Sequence, residues 1–270
     1  MNTTPESITP LPSPILPAEK ILFDIILEYI QHFWLYFIVA AIILTPTIIL
    51  DIWLNPLINQ WYIIIINFIL MMLFSYYLML VLLLITQALQ SNQPMDINSI
   101  FLISLKKYLP YAWTMIILEI LGMIGALFCC IPLLIVEVLF CVANGIVVWE
   151  GINGIPALKR SFELTKPYFW RVLWILLIFY LTYYILFMVF TEIPSLFIPS
   201  IPGMFKGIFN HQYKGIIQPW WYTIYQHLIG ALLHPTLAIM TYILYRNLNE
   251  VHKSVIAPSP EMITPENQSM

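Results

Sequence analysis

Six stretches of this chain run for most of a bilayer's width with almost no charge, and this constrains the fold more than any other feature. They cover residues 33–50, 61–85, 111–130, 131–149, 169–190 and 220–245. A spanning helix needs about 20 predominantly apolar residues at 1.5 Å rise each. Inside lipid every backbone N–H and C=O must find a partner within the protein, so such runs are read as helices. Composition agrees, with 61% of residues hydrophobic and only 9% charged. Soluble domains of ordinary type carry about 25% charged residues. The expected fold class is therefore all-α, a polytopic membrane protein with about six transmembrane helices. A net charge of -3 supplies no basic field, which argues against a nucleic-acid partner.

The connectors set an orientation. Of the eleven Lys and Arg, only Lys206 and Lys214 fall in segments that lie outside if the N-terminus is inside. Lys20, Lys106, Lys107, Lys159, Arg160, Lys166, Arg171, Arg246 and Lys253 then all fall inside. This bias predicts both termini in the cytoplasm and supports an even number of spans, while the absence of a signal peptide and of a disulfide framework suits a prokaryotic inner (plasma) membrane. Residues 1–17 are polar, Pro-rich and without positive charge, unlike a signal peptide, so the first span is expected to act as an uncleaved anchor. Residues 1–17 and 250–270 are expected to be disordered cytoplasmic tails flanking a six-helix domain over 18–249.

Amphipathic segments precede the odd-numbered spans. Residues 18–31 place Lys20, Asp24, Glu28 and Gln31 on one helical face and Ile21, Leu22, Ile25, Ile26 and Tyr29 on the other. Residues 155–166 group Lys159, Arg160, Glu163 and Lys166 opposite Leu158, Phe162 and Thr165, and residues 97–109 repeat the pattern more weakly. Each is too short and too polar to span, and is expected to lie in the cytoplasmic interface. The reading is three hairpins, each preceded by an interfacial amphipathic helix.

Residues 157–170 read Ala-Leu-Lys-Arg-Ser-Phe-Glu-Leu-Thr-Lys-Pro-Tyr-Phe-Trp. This resembles the A-L-x-R-S-x-x-L-x-x-G-x-x-W segment of a family of six-helix membrane proteins. That family includes the membrane domain attached to some glycerophosphoryl diester phosphodiesterases and stand-alone relatives. The interfacial helix before span one, Glu150, the Ile131-Pro132 turn and the stretch from Pro235 to Tyr245-Arg246 are similar too, so the likeness covers roughly residues 18–250. Pro167 stands where the family has Gly, and Leu133 replaces the turn Gly. The resemblance implies a six-helix membrane domain. It does not imply an enzyme, because no soluble segment here could hold the roughly 250-residue barrel of the phosphodiesterase.

Ionisable residues inside the apolar runs are functional candidates, since each is costly in lipid unless paired. Glu119 in span three and Glu137 in span four differ in depth by roughly 8 Å on a helical rise, which does not make them an obvious carboxylate pair. In span six, His234 precedes Pro235, with His227 two turns earlier. Pro235 frees a carbonyl near Ala231, and a His at such a kink can line a cavity. Gly122, Gly125 and Ala126, and the Asn144-Gly145 pair, read as close-packing positions between helices. Lys159, Arg160, Lys166 and Arg171 form the densest positive cluster and would contact anionic headgroups or simply fix topology. Cys129, Cys130 and Cys141 have neither disulfide nor metal-ligand spacing. No phosphate loop, H-E-x-x-H, G-x-S-x-G or C-x-x-C occurs, and no cofactor is expected.

Three functions remain open on these residues. The first is a non-enzymatic module engaging membrane lipids, another membrane protein or a second copy of itself. The second is a small transporter or permease-like protein with a polar cavity near Glu119, Glu137 and His234. The third, a membrane-embedded lipid enzyme, lacks a visible nucleophile or metal site.

Overall fold

The computed structural model describes residues 17–54, 61–91, 96–128, 130–197 and 220–256, and these are helical apart from short turns. The order is α1 (Ala18–Gln31), α2 (Phe33–Leu54), α3 (Trp61–Gln90), α4 (Ile97–Leu127), α5 (Cys130–Phe140), α6 (Ala143–Trp149), α7 (Ile155–Thr165), a 3-10 turn (Lys166–Tyr168), α8 (Phe169–Phe197) and α9 (Trp220–Ile256). Six stretches are long and apolar enough to cross a membrane, with α5 and α6 together making the fourth and α7 running into α8 for the fifth. The expected tail over 1–16, the expected connector charges Lys206 and Lys214, and residues 257–270 lie outside the described residues.

The surface is that of a protein solvated by lipid. Ile42, Phe68, Leu105, Ile124, Leu181 and Ile185 are all exposed along the helices. Trp34 and Trp170 are exposed towards one end of their spans, and Trp53, Trp61 and Trp220 towards the other. Two such aromatic belts are what a bilayer's two headgroup layers select. Since lipid tails are as apolar as Leu, the bundle is held by close packing and by hydrogen bonds rather than by the hydrophobic effect. The most buried span is α9. It packs along α2 and also against α1 and α3, burying Ala231, Ala238, Ile239, Leu244 and Leu248.

α4 and α5 pack closely against one another. A Cβ on Gly125 would meet the Leu133 backbone at 3.0 Å, so the glycine lets the two chains touch. Gly145 serves differently from expectation. Its missing side chain makes room for the ring of Trp149 one turn along the same helix, only 2.1 Å from where a Cβ would lie. Spans five and six touch less than the others, because α9 spends its contact surface on α1, α2 and α3.

Two sequence expectations are corrected. Residues 97–109 do not form a separate interfacial helix but continue through Pro110 into α4. A single Pro removes one backbone bond without stopping a membrane helix, and Thr114 donates to the Pro110 carbonyl at 2.9 Å. α9 runs to Ile256, with Val251 buried. Within α1, Glu28 departs from the polar face assigned to it. It is buried with Ile21 and Ile25, while Phe23, Ile26 and Ile30 point outward.

Span four is broken where a continuous helix was expected. α5 stops at Phe140, Cys141 and Val142 form a turn, and α6 resumes at Ala143. A break in lipid frees carbonyls and amides that must be satisfied nearby. The carbonyl of Leu139, whose helical partner would lie beyond the break, accepts from Ser161 Oγ at 3.0 Å and Thr165 Oγ1 at 2.9 Å. The amide of Gly145 donates to Asn144 Oδ1 at 2.8 Å. α7 reaches this position because Gly151 and Gly154, at φ +71 and +65, turn the chain sharply after α6. Only Gly takes such angles without strain.

Candidate functional site: an intramembrane cavity

The break in span four borders the principal cavity. It holds about 550 Å³ and lies between α3, α4, α5, α6 and α9, with Tyr180 of α8 at its side. Glu119, Glu137 and His234 all line it. Their difference in depth along the hairpin therefore does not separate them, because the cavity runs along it. Phe140, Cys141 and Asn144 bring the broken segment to the same wall. Sequence reasoning named the first three by their cost in lipid. It missed Tyr76 and Asn144, whose places in the cavity only the packing of α3 and α6 reveals.

Both carboxyl-bearing residues are exposed to the cavity and its opening rather than sealed. A carboxylate in such surroundings keeps its charge only beside a cation or several donors, and is otherwise protonated. Among the described residues neither Glu119 nor Glu137 has a hydrogen bond or ion pair, and the lining contains no Lys or Arg. His234 Nδ1 lies 2.7 Å from the Gly230 carbonyl. A carbonyl only accepts, so Nδ1 carries the proton and Nε2 of the neutral ring is an acceptor. Gly230 is itself part of the arrangement, because a Cβ there would crowd this ring at 3.4 Å. Tyr76, only 5% exposed, also lines the cavity, and its hydroxyl has no hydrogen-bond partner.

At the end holding most of the positive residues, two polar clusters converge on neighbouring turns of α9. In one, Gln90 of α3 donates to Glu28 of α1 and accepts from Arg246 of α9 at 3.0 Å. His32 Nε2 lies 3.9 Å from Glu28. In the other, Glu150 accepts from Tyr245 at 2.8 Å and pairs with Arg160 of α7 at 3.3 Å, and Arg160 also reaches Asn249 at 3.3 Å. The ring of Trp149 lies against Tyr242 and Tyr245 beside this pair. Lys107 of α4 donates to the Val148 carbonyl at 2.7 Å. Near the opposite end, Asp51 of α2 joins Asn67 of α3 at 3.1 Å and His227 of α9 at 3.2 Å.

The four basic residues singled out for headgroup contact do not act alike. Arg160 is committed to Glu150 and Asn249 and cross-links α7 to α9. Lys159 and Lys166 are exposed, with Lys166 5.2 Å above the Phe162 ring, and Arg171 is half-buried. No metal-binding group of three or more His, Cys, Asp or Glu occurs among the described residues. Compared with protein families, with characterised proteins and with solved structures, the chain matches none.

Proposed function

We propose that this chain is a permease-like carrier of the prokaryotic inner membrane that binds a small solute in its intramembrane cavity and performs no covalent chemistry on it. The observation that carries this reading is the convergence of Glu119, Glu137 and His234 on one cavity of about 550 Å³. That size is typical of small-molecule sites, which lie in the range of about 300–1,000 Å³. Its polar residues are few and set in apolar walls, as in sites that bind and release a ligand. The broken fourth span beside the cavity is a recurrent feature of transporters, where irregular backbone is tolerated if it is buried in protein or lines such a space. Glu119, Glu137 and His234 then couple the solute to a proton. Both termini face the cytoplasm in this reading, which places the Glu28 and Glu150 clusters at the inner end and closes the cavity there.

The resemblance to the phosphodiesterase-associated membrane family is retained as part of the proposal. Its support is that three residues carrying the likeness, Glu150, Arg160 and Tyr245, are joined where α7 meets α9. Lipid engagement is a second reading favoured by one observation, the exposure of Lys159 and Lys166 beside exposed Trp170. Such residues sit at headgroup level and attract anionic lipid.

The carrier reading is tested with proteoliposomes under an imposed pH gradient. They are incubated with a metabolite extract and their contents identified by mass spectrometry. At least one compound should accumulate with the native chain and fail to do so with Glu119→Gln or His234→Ala. A native chain that accumulates nothing in either gradient direction would refute carriage.

A further inference from the structure

We propose that the cavity takes an amphiphilic organic cation, its charge held between Glu119 and Glu137 and its hydrocarbon part lodged in the adjoining groove between α5 and α8. This rests on the carrier reading and adds the class of solute. Charge is the first argument. The lining offers two carboxyl groups, and no Lys or Arg opposes them. His234 supplies no compensating positive charge while neutral, its Nδ1 proton being engaged by Gly230. An anionic solute entering here would find no cationic partner and its charge would be left unpaired. A cation would give both carboxylates the partner that the protein withholds.

The second argument is aromatic. Tyr76 and Tyr180 bring rings to the cavity lining, and ring faces attract organic ammonium and phosphonium cations.

The third argument is shape. A second cavity of about 480 Å³ lies between α5 and α8, walled by Leu134, Leu173, Leu176, Leu177 and Leu181. It shares Glu137 and Tyr180 with the first. A chamber with a few polar groups in apolar walls thus adjoins a more apolar one, with a carboxyl group at their junction. A compact hydrophilic cation would leave the second chamber without purpose, whereas a cation with a bulky apolar body fills both.

The test compares two ions of matched size and shape and opposite charge, tetraphenylphosphonium and tetraphenylborate. The full chain is reconstituted in nanodiscs of zwitterionic lipid, and binding is measured by equilibrium dialysis. Tetraphenylphosphonium should bind saturably at one per chain, and tetraphenylborate should show only lipid partitioning. Affinity should fall at least tenfold in Glu119→Gln/Glu137→Gln and less in each single variant. It should be unchanged in Glu163→Gln on the exposed face of α7. Each variant is checked for monodispersity and helical content, and the single variants serve if the double one does not fold. Saturable tetraphenylborate binding, or phosphonium binding indifferent to both Gln substitutions, would overturn the inference. A native chain that binds no phosphonium yet accumulates an extract compound would overturn the solute class and leave carriage intact. A chain that accumulates nothing fails at the earlier step.

Discussion

Removing the two hydroxyls that close the break in span four should destabilise the protein more than the separate effects of removing each. Ser161 and Thr165 are fully buried and both donate to the Leu139 carbonyl. A hydroxyl has one proton, and Thr165 divides its own between Leu139 and the Ser161 carbonyl at 2.9 Å. When Ser161 is lost, Thr165 can give its proton wholly to Leu139. When Thr165 is lost, Ser161 still serves. Either single change therefore removes one of two donors, about 0.6 kcal/mol by the mean for side-chain hydrogen bonds in membranes. Ser161→Ala with Thr165→Val leaves a buried carbonyl with no side-chain donor, which costs about 1–3 kcal/mol for the carbonyl itself in addition to the lost bonds. The double variant should thus exceed the additive expectation by about 1–3 kcal/mol. A double-mutant cycle from reversible unfolding in mixed micelles measures this excess directly. If the two changes add within about 0.5 kcal/mol, as independent sites do, the hydroxyls are not jointly closing the break and the account of it is wrong.

Other consequences follow from the same contacts. Gly145→Ala forces the Trp149 ring away from a position 2.1 Å distant and should lower stability by about 1–3 kcal/mol, read as a fall in Tm. An unchanged Tm would mean that Trp149 does not occupy that space. Arg246→Ala leaves Gln90 Oε1 without its donor and should cost about 1–3 kcal/mol, read as a fall in Tm. An unchanged Tm would separate Arg246 from the Gln90 cluster. Tyr29 in α1 donates to the Leu232 carbonyl at 2.6 Å, and burial pushes its pKa up to about 12. An acid whose pKa is raised by folding contributes stability below its unfolded value near 10 and loses it as pH rises towards 12. The stability advantage of the native chain over Tyr29→Phe should therefore shrink over that window, and a constant difference would place the Tyr29 hydroxyl in water.

The helices themselves were legible because lipid imposes a strict rule on sequence. Runs such as 61–85 carry no charge and can be little else. α1 and α7 were legible from their alternating faces, and the structure separates both from the spans that follow at His32 and at the 3-10 turn over Lys166–Tyr168. The segment over 97–109 carried a weaker version of that pattern and had only Pro110 as a stop signal, which α4 absorbs. The break at Cys141–Val142 was not legible, because neither residue is Pro or Gly and the Asn144-Gly145 pair that follows reads equally well as a helix-packing position. Its signal lay elsewhere, in the hydroxyls of Ser161 and Thr165 four residues apart on the buried side of α7. Glu28 was assigned to a solvated face because its partner Gln90 is distant in sequence. The same limit applied at the cavity. The cost of an acid in lipid marks Glu119 and Glu137 from sequence, but only tertiary packing brings them to one space with His234 and Tyr76.

The claim on which the functional account depends is that Glu119, Glu137 and His234 surround one ligand site. Native mass spectrometry of the protein released gently from its own membrane tests it most directly. The account predicts a small molecule bound at one per chain, retained in Glu163→Gln and lost in Glu119→Gln/Glu137→Gln with the helical content unchanged. A bound molecule that survives both Gln substitutions and His234→Ala would contradict the account. So would a native chain that carries only another protein subunit.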